Sequence, residues 1–177
     1  MKLQEHSISG LYTILPNLHQ DERGVFRRSF CEKVLVENGI HFEAKQGNIS
    51  ENFRKNTLRG FHYSIQPTQE SKILTCVTGS LYNVVLDLRK ESKTYRQWVS
   101  MKISSDDRVS VLVPHGCANA FLTMSDQTIV HYYMGDFFSA DTCRGIRYND
   151  PAFGFEWPCE PKVISERDLN FPDYRGD

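Results

Sequence analysis

From residue 57 onward, apolar and polar positions alternate in short runs, the period-2 signature of strands with one buried face. The segment "KILTCVTGSLYNVVLDL" reads as two strands around a Thr78-Gly79-Ser80 turn. The segment "QWVSMKISSDDRVSVLVPHGCANAFLTMSDQTIVHYYMGDFF" continues the pattern, with turn chemistry at Ser104–Asp107, Pro114–Gly116 and Ser125–Gln127. Helical spacing is confined to "EKVLVENGI", Glu32 to Ile40, where Asn38-Gly39 supplies a stop. Short strands at a spacing of about 8–12 residues predict an all-β chain, an antiparallel jelly-roll sandwich or barrel with a few short helices. The tail after Trp157 is rich in proline and charge and lacks a period, so it is expected to run over the surface, where it could cap a site.

Alternation also assigns faces. His131 and Tyr133 share one face while Tyr132 takes the other, and Tyr82, Val84 and Leu86 oppose Leu81, Asn83, Val85 and Asp87. Asn83 breaks an otherwise apolar face. It lines a ligand cavity or hydrogen-bonds a neighbouring backbone.

Composition narrows the function classes. A chain of 177 residues suits one domain, residues 1–177. With 21 Lys and Arg against 22 Asp and Glu, spread along the chain, no global basic field argues for nucleic acid. No run approaches the roughly 20 apolar residues of a membrane span, and "MKLQEHSISG" lacks a signal-peptide core, so the cytoplasm is the expected compartment. The five cysteines share no CxxC spacing, and Cys76 is expected as a small core residue. The six histidines show no HxH pair, which leaves a metal-dependent site without its usual ligand spacing.

The chemistry concentrates in "LRGFHYSIQPTQESKIL", where Arg59 and Lys72 flank His62. Positive charge beside an imidazole attracts anions and favours its neutral, proton-accepting form. That combination suits an anionic or enolising substrate.

The ordered motifs "DERGVFRRSF", "QGNIS", "LRGFHY", "ESKIL", "VLDLRKES", "VPHGCANAF", "RGIRYNDP", "EWP" and "SERD", with the Tyr132 strand, resemble the dTDP-4-dehydrorhamnose 3,5-epimerase family from about Gly10 to Asp168. The resemblance implies a cupin fold (a double-stranded β-helix), no metal and no cofactor, a nucleotide-diphosphate-linked 4-keto sugar as substrate, and a homodimer with exchanged strands. It implies His62 as general base, Asp168 as its orienting carboxylate, Tyr132 as the phenol donating on the opposite ring face, and Lys72 as the cation beside the carbonyl. Arg23, Gln46, Asn48 and Arg59 match nucleotide and diphosphate contacts, Phe26 belongs to the same substrate-binding set, and Arg167 matches a lysine near the substrate. The chemistry is coherent. A C–H beside a ketone is acidified through its enolate, which donors or charge at the oxygen must stabilise.

The departures carry information. Asn119 stands where the family carries a second histidine, and Asn83 stands where that histidine's aspartate partner is found. A neutral amide pair cannot supply a proton or stabilise an imidazolium, so inversion at one centre is expected rather than at two. Arg28 replaces a glutamate near the base. Thymine N3–H suits a carboxylate and the cytosine N3 acceptor suits an arginine, which favours a CDP-linked substrate and fits 3,6-dideoxy sugars, where no C3 hydroxyl remains. Phe137 and Phe138 replace a tyrosine pair. Competing readings are the dTDP-linked 3,5-epimerase proper, a metal-dependent cupin, a sugar 3,4-ketoisomerase and a catalytically silent sugar-nucleotide-binding cupin.

Overall fold

The computed structural model describes residues 1–176. Six strands form one sheet in the order β1 (Lys2–Glu5), β2 (Tyr12–Leu15), β10 (Ser110–Val113), β7 (Lys72–Thr78), β12 (Thr128–Met134), β5 (Gln46–Asn52). Five form the second, in the order β13 (Cys143–Gly145), β6 (Leu58–Ser64), β11 (Cys117–Thr123), β8 (Ser80–Asp87), β9 (Trp98–Ser104). The pairings within both sheets are antiparallel, and the jelly-roll expectation holds. A hairpin of β3 (Leu18–Asp21) and β4 (Gly24–Arg27) stands apart as a two-stranded sheet.

β7 and β8 are consecutive but do not pair, because the chain crosses between sheets at Gly79. Gly79 has φ +79°, and a Cβ there would lie 2.5 Å from Ser125 Oγ and 2.8 Å from Thr128 Oγ1, so only glycine fits the crossing.

Three apolar layers hold the two sheets. Leu74, Cys76, Leu81, Val85, Val111 and Val130 fill the space between them. Burial pushes the Cys76 thiol up to about 11, in keeping with a small core residue. The outer face of the five-stranded sheet, with Phe61, Val84 and Leu86, is covered by Phe153, Phe155 and Trp157. The C-terminal segment is thus a covering layer rather than a surface strap. The outer face of the six-stranded sheet packs Ile14, Ile73 and Leu112 on Phe42 and on Leu35 of α1 (Glu32–Glu37).

The helix is one turn shorter than its apolar spacing predicts. Asn38 Nδ2 takes the Val34 carbonyl, the N–H groups of Asn38 and Ile40 both return to Leu35 O, and Gly39 leaves at φ +75°. Ile40 then packs against the outer core.

Of the motif "VLDLRKES", Asp87 ties down the turn between β8 and β9. Its fully buried carboxylate accepts from Arg89 Nε and Nη2 at 2.9 Å each, from Ser92 Oγ at 2.6 Å and from Thr94 Oγ1 at 2.7 Å. Burial pushes this carboxyl up, but the hydrogen bonds outweigh it and set it at about 2. Against an ordinary aspartate near 3.9, the charged carboxylate contributes about 2–3 kcal/mol at neutral pH, present above about pH 4 and lost as pH falls through about 2. Asp87→Asn is expected to lose at least that much in urea unfolding at pH 7, with the gap to the wild type narrowing below pH 4. A gap that widened on acidification would contradict this assignment.

Candidate active site

A cavity of about 280 Å³ opens between the two sheets. The five-stranded sheet contributes Arg59 and His62 from β6 and Asn119 and Phe121 from β11; the six-stranded sheet contributes Lys72 and Leu74 from β7 and Tyr132 from β12, with Ile49, Ser50 and Glu51 of β5 completing the wall. His62 and Tyr132 therefore approach the space from opposite sides. The expected face assignment around residue 132 holds, since Tyr132 packs toward the inter-sheet core and Tyr133 toward the outer one.

Strict alternation would send Arg59 and His62 to opposite faces, being three residues apart. A register shift between β6 and β11 removes the conflict, with Asn119 opposite His62 and Phe121 opposite Arg59. Gly60 carries it at φ +104°, where a Cβ would meet Asn119 O at 2.5 Å and Ala120 Cα at 2.8 Å. Any larger residue would push β11 away from the site.

α2 (Glu166–Leu169) brings in the carboxylate. Asp168, 4% exposed, accepts from Gly60 N at 3.1 Å through Oδ2 and meets His62 Nε2 at 2.8 Å through Oδ1. Ser165 caps the helix by accepting from Asp168 N at 3.1 Å. Burial pushes the Asp168 carboxyl up, but the bonds with His62, Gly60 and Ser165 prevail and hold it below the usual range. An ionised carboxylate only accepts, so Nε2 carries the proton and Nδ1 keeps the lone pair. Phe171 packs edge-on to His62, with ring centroids 6.3 Å apart. The tail thus caps the site from behind.

Two cations border the cavity, each held by a partner. Lys72 Nζ lies 2.6 Å from Glu70 Oε1, both side chains largely buried. Arg59 Nε donates to Asn52 Oδ1 at 2.7 Å, while the Asn52 amide donates to the Ser50 and Thr128 carbonyls. Asn83 meets neither expectation: it is fully buried behind the cavity wall rather than lining it, and its Oδ1 accepts from a side chain, Asn119 Nδ2 at 2.8 Å, rather than bonding the backbone.

Other residues named from the sequence lie elsewhere in the single chain. Arg23 is paired with Asp21 on the exposed hairpin, Phe26 is 69% exposed beside it, and Arg28 reaches the Cys31 sulfur. Gln46 Oε1 accepts from Phe138 N, and Asn48 lies opposite Tyr132 in register, so both continue the inward face of β5 beyond the cavity. Arg167 lies behind His62, donating to Cys143 Sγ at 3.2 Å and covering the Phe171 ring. Glu70, Asn52 and Gly60 are site-shaping residues that the sequence reading passes over. The positive-φ glycine was the detectable one, since it sits between two named site residues.

Comparison with known proteins gives this geometry a context. The family model described as dTDP-4-dehydrorhamnose 3,5-epimerase matches residues 5–175. The dTDP-4-dehydrorhamnose 3,5-epimerase of Methanothermobacter thermautotrophicus is 35% identical over 172 residues, 96% of this chain and 92% of its own. The crystal structure of the Bacillus anthracis enzyme of that name, with TDP and PPi bound, superposes with a TM-score of 0.93 at 33% identity, over 97% of this chain and 98% of that one. A 3′-monoepimerase from Streptomyces bikiniensis, crystallised with dTDP-quinovose, gives 0.88 at 28% identity, over 94% and 85%. The chain belongs to the dTDP-4-dehydrorhamnose 3,5-epimerase family and is a nucleotide-sugar epimerase.

Proposed function

We propose that this epimerase inverts a single carbon next to the C4 ketone of a nucleotide-diphosphate-linked 4-keto-6-deoxy sugar. The reading rests above all on the His62–Asp168 pair facing Tyr132 across the cavity from the other sheet. A sugar ring lying between them has a proton acceptor on one face and a phenol on the other. His62 Nδ1 takes the α-proton, Lys72 offsets the charge developing on the ketone oxygen, and Tyr132 returns a proton from the opposite face, leaving the inverted ketone. Arg59, held at Nε by Asn52, has no other hydrogen-bond partner among the described residues, which leaves its terminal donors for the diphosphate. The Asn119–Asn83 pair is neutral and cannot run a second proton transfer, which favours one centre over two.

The working unit is a homodimer with exchanged hairpins. Every residue of β3 and all but one of β4 are exposed, including Leu18 at 48% and Phe26 at 69%. Two strands alone are marginal in water. β5 ends its sheet with a free edge flanked by Ile49 at 67% and Phe53 at 70% exposure. An arm docked on a second copy would carry Arg23, Phe26 and Arg28 to that copy's site. Arg28 there reads the base and favours cytosine over thymine.

Incubation with dTDP-, CDP- and GDP-linked 4-keto-6-deoxy sugars in deuterated water, followed by NMR, tests this. Label at one ring carbon with inversion is expected, with CDP preferred. Label at two carbons would overturn the single-centre reading, and no exchange with any sugar would favour a silent binding protein.

A further inference from the structure

The two site asparagines have a polarity that backbone groups fix. Asn119 Nδ2 sits 2.9 Å from Val84 O and 3.4 Å from Ala120 O, besides 2.8 Å from Asn83 Oδ1. All three neighbours are oxygens, and the two carbonyls can only accept. Turning the amide over would place Oδ1 against two carbonyl oxygens with no hydrogen between them. The orientation is therefore set by β8 and β11 themselves, and it leaves Asn119 Oδ1 with no protein donor among the described residues. Asn119 is 7% exposed, and what remains of its surface lines the cavity. Asn83, fully buried, spends its own oxygen on Asn119 and keeps an unpartnered Nδ2 behind it. This locks the pair in one sense.

The cavity thus holds an unpaired acceptor on the strand directly opposite His62, where facing side chains on one sheet face stand about 5 Å apart at Cβ. An acceptor repels a ketone or enolate oxygen, and it cannot donate to one. It can be satisfied by a hydroxyl.

Building on the epimerase reading above, we propose that Asn119 Oδ1 is a specificity-determining acceptor for a hydroxyl on the α-carbon that faces His62. In a 4-keto-6-deoxy hexose the α-carbon bearing a hydroxyl is C3, whereas C5 bears a methyl group and the ring oxygen. The inverted centre is then C3, and sugars lacking the 3-hydroxyl, the 3,6-dideoxy class among them, are poor ligands because they strand the acceptor in a mostly buried position. Lys72 is left as the cavity's cation for the ketone oxygen on the opposite sheet, which divides the two substrate oxygens between the two walls.

The test is a binding comparison by calorimetry with matched pairs of TDP- and CDP-linked 4-keto-6-deoxy sugars, with and without the 3-hydroxyl, run beside deuterium exchange. The wild type is expected to bind the hydroxylated member about 10- to 100-fold more tightly. In Asn119→Ala that ratio should collapse to about threefold or less, with affinity for the nucleoside diphosphate alone unchanged, a selective loss that general loosening of the fold would not produce. Equal wild-type binding of both members, or discrimination that survives Asn119→Ala, would overturn the acceptor role. If exchange proceeds in that case, the epimerase reading stands without it. If no sugar nucleotide binds, both fall.

Discussion

Replacing His62 with Ala is expected to cut solvent-deuterium incorporation at the sugar α-carbon by about 10²–10⁴-fold while nucleotide affinity stays within a few-fold of the wild type. The size follows from what the residue does. An α-proton of a ketone leaves only to a base within hydrogen-bond reach, and His62 is the imidazole among the cavity-lining side chains. Its ring is aimed by Asp168, which is itself anchored by Gly60 N and the Ser165 cap. Asp168→Asn should therefore fall in the same range by releasing the tautomer, without removing the base. NMR of the sugar ring reads both, and calorimetry with the nucleoside diphosphate reads binding. Exchange near the wild-type rate in His62→Ala would move the base elsewhere.

Tyr132→Phe is expected to separate two events that the wild type couples. The partly exposed imidazole can lose its captured proton to solvent and return a deuteron to the same face. Exchange should then persist within about tenfold while inversion drops by about 10²–10⁴-fold, because the opposite face has lost its donor. The ratio of inverted to labelled sugar, from one NMR time course, is the deciding quantity. A parallel fall of both would make Tyr132 a packing residue, and unchanged inversion would assign the second proton to another group. Removing the hydroxyl leaves the ring packed against the inter-sheet core, so the fold is spared.

Much of the architecture was legible because burial on one face leaves a period of two. β7, β8, β11 and β12 have the alternation or apolar density that water exclusion requires, and their turns carry Gly, Pro, Ser and Asp where expected. β5 was not legible. Its more buried positions are the polar Gln46, Asn48, Ser50 and Asn52 while the apolar Ile49 is exposed, the reverse of the usual pattern, because this strand lines a polar cavity and ends a sheet. The four short strands before it lacked enough length to show a period.

The identity of the site residues could be read from ordered motifs, but their assembly could not. His62 and Asp168 are 106 residues apart, and no local rule joins them at 2.8 Å. Arg59 and His62 share a cavity only because a register shift at a positive-φ glycine overrides alternation. The sequence alone determined which side chains were available and that most strands would hide one face, since composition and periodicity are properties of the chain. The folded structure decided which groups meet, that Glu70 compensates Lys72, and that the Asn119 amide nitrogen is spent on Asn83, Val84 and Ala120. Those outcomes depend on distances between segments remote in the chain, and a hydrogen bond's direction is fixed by the neighbour that receives it.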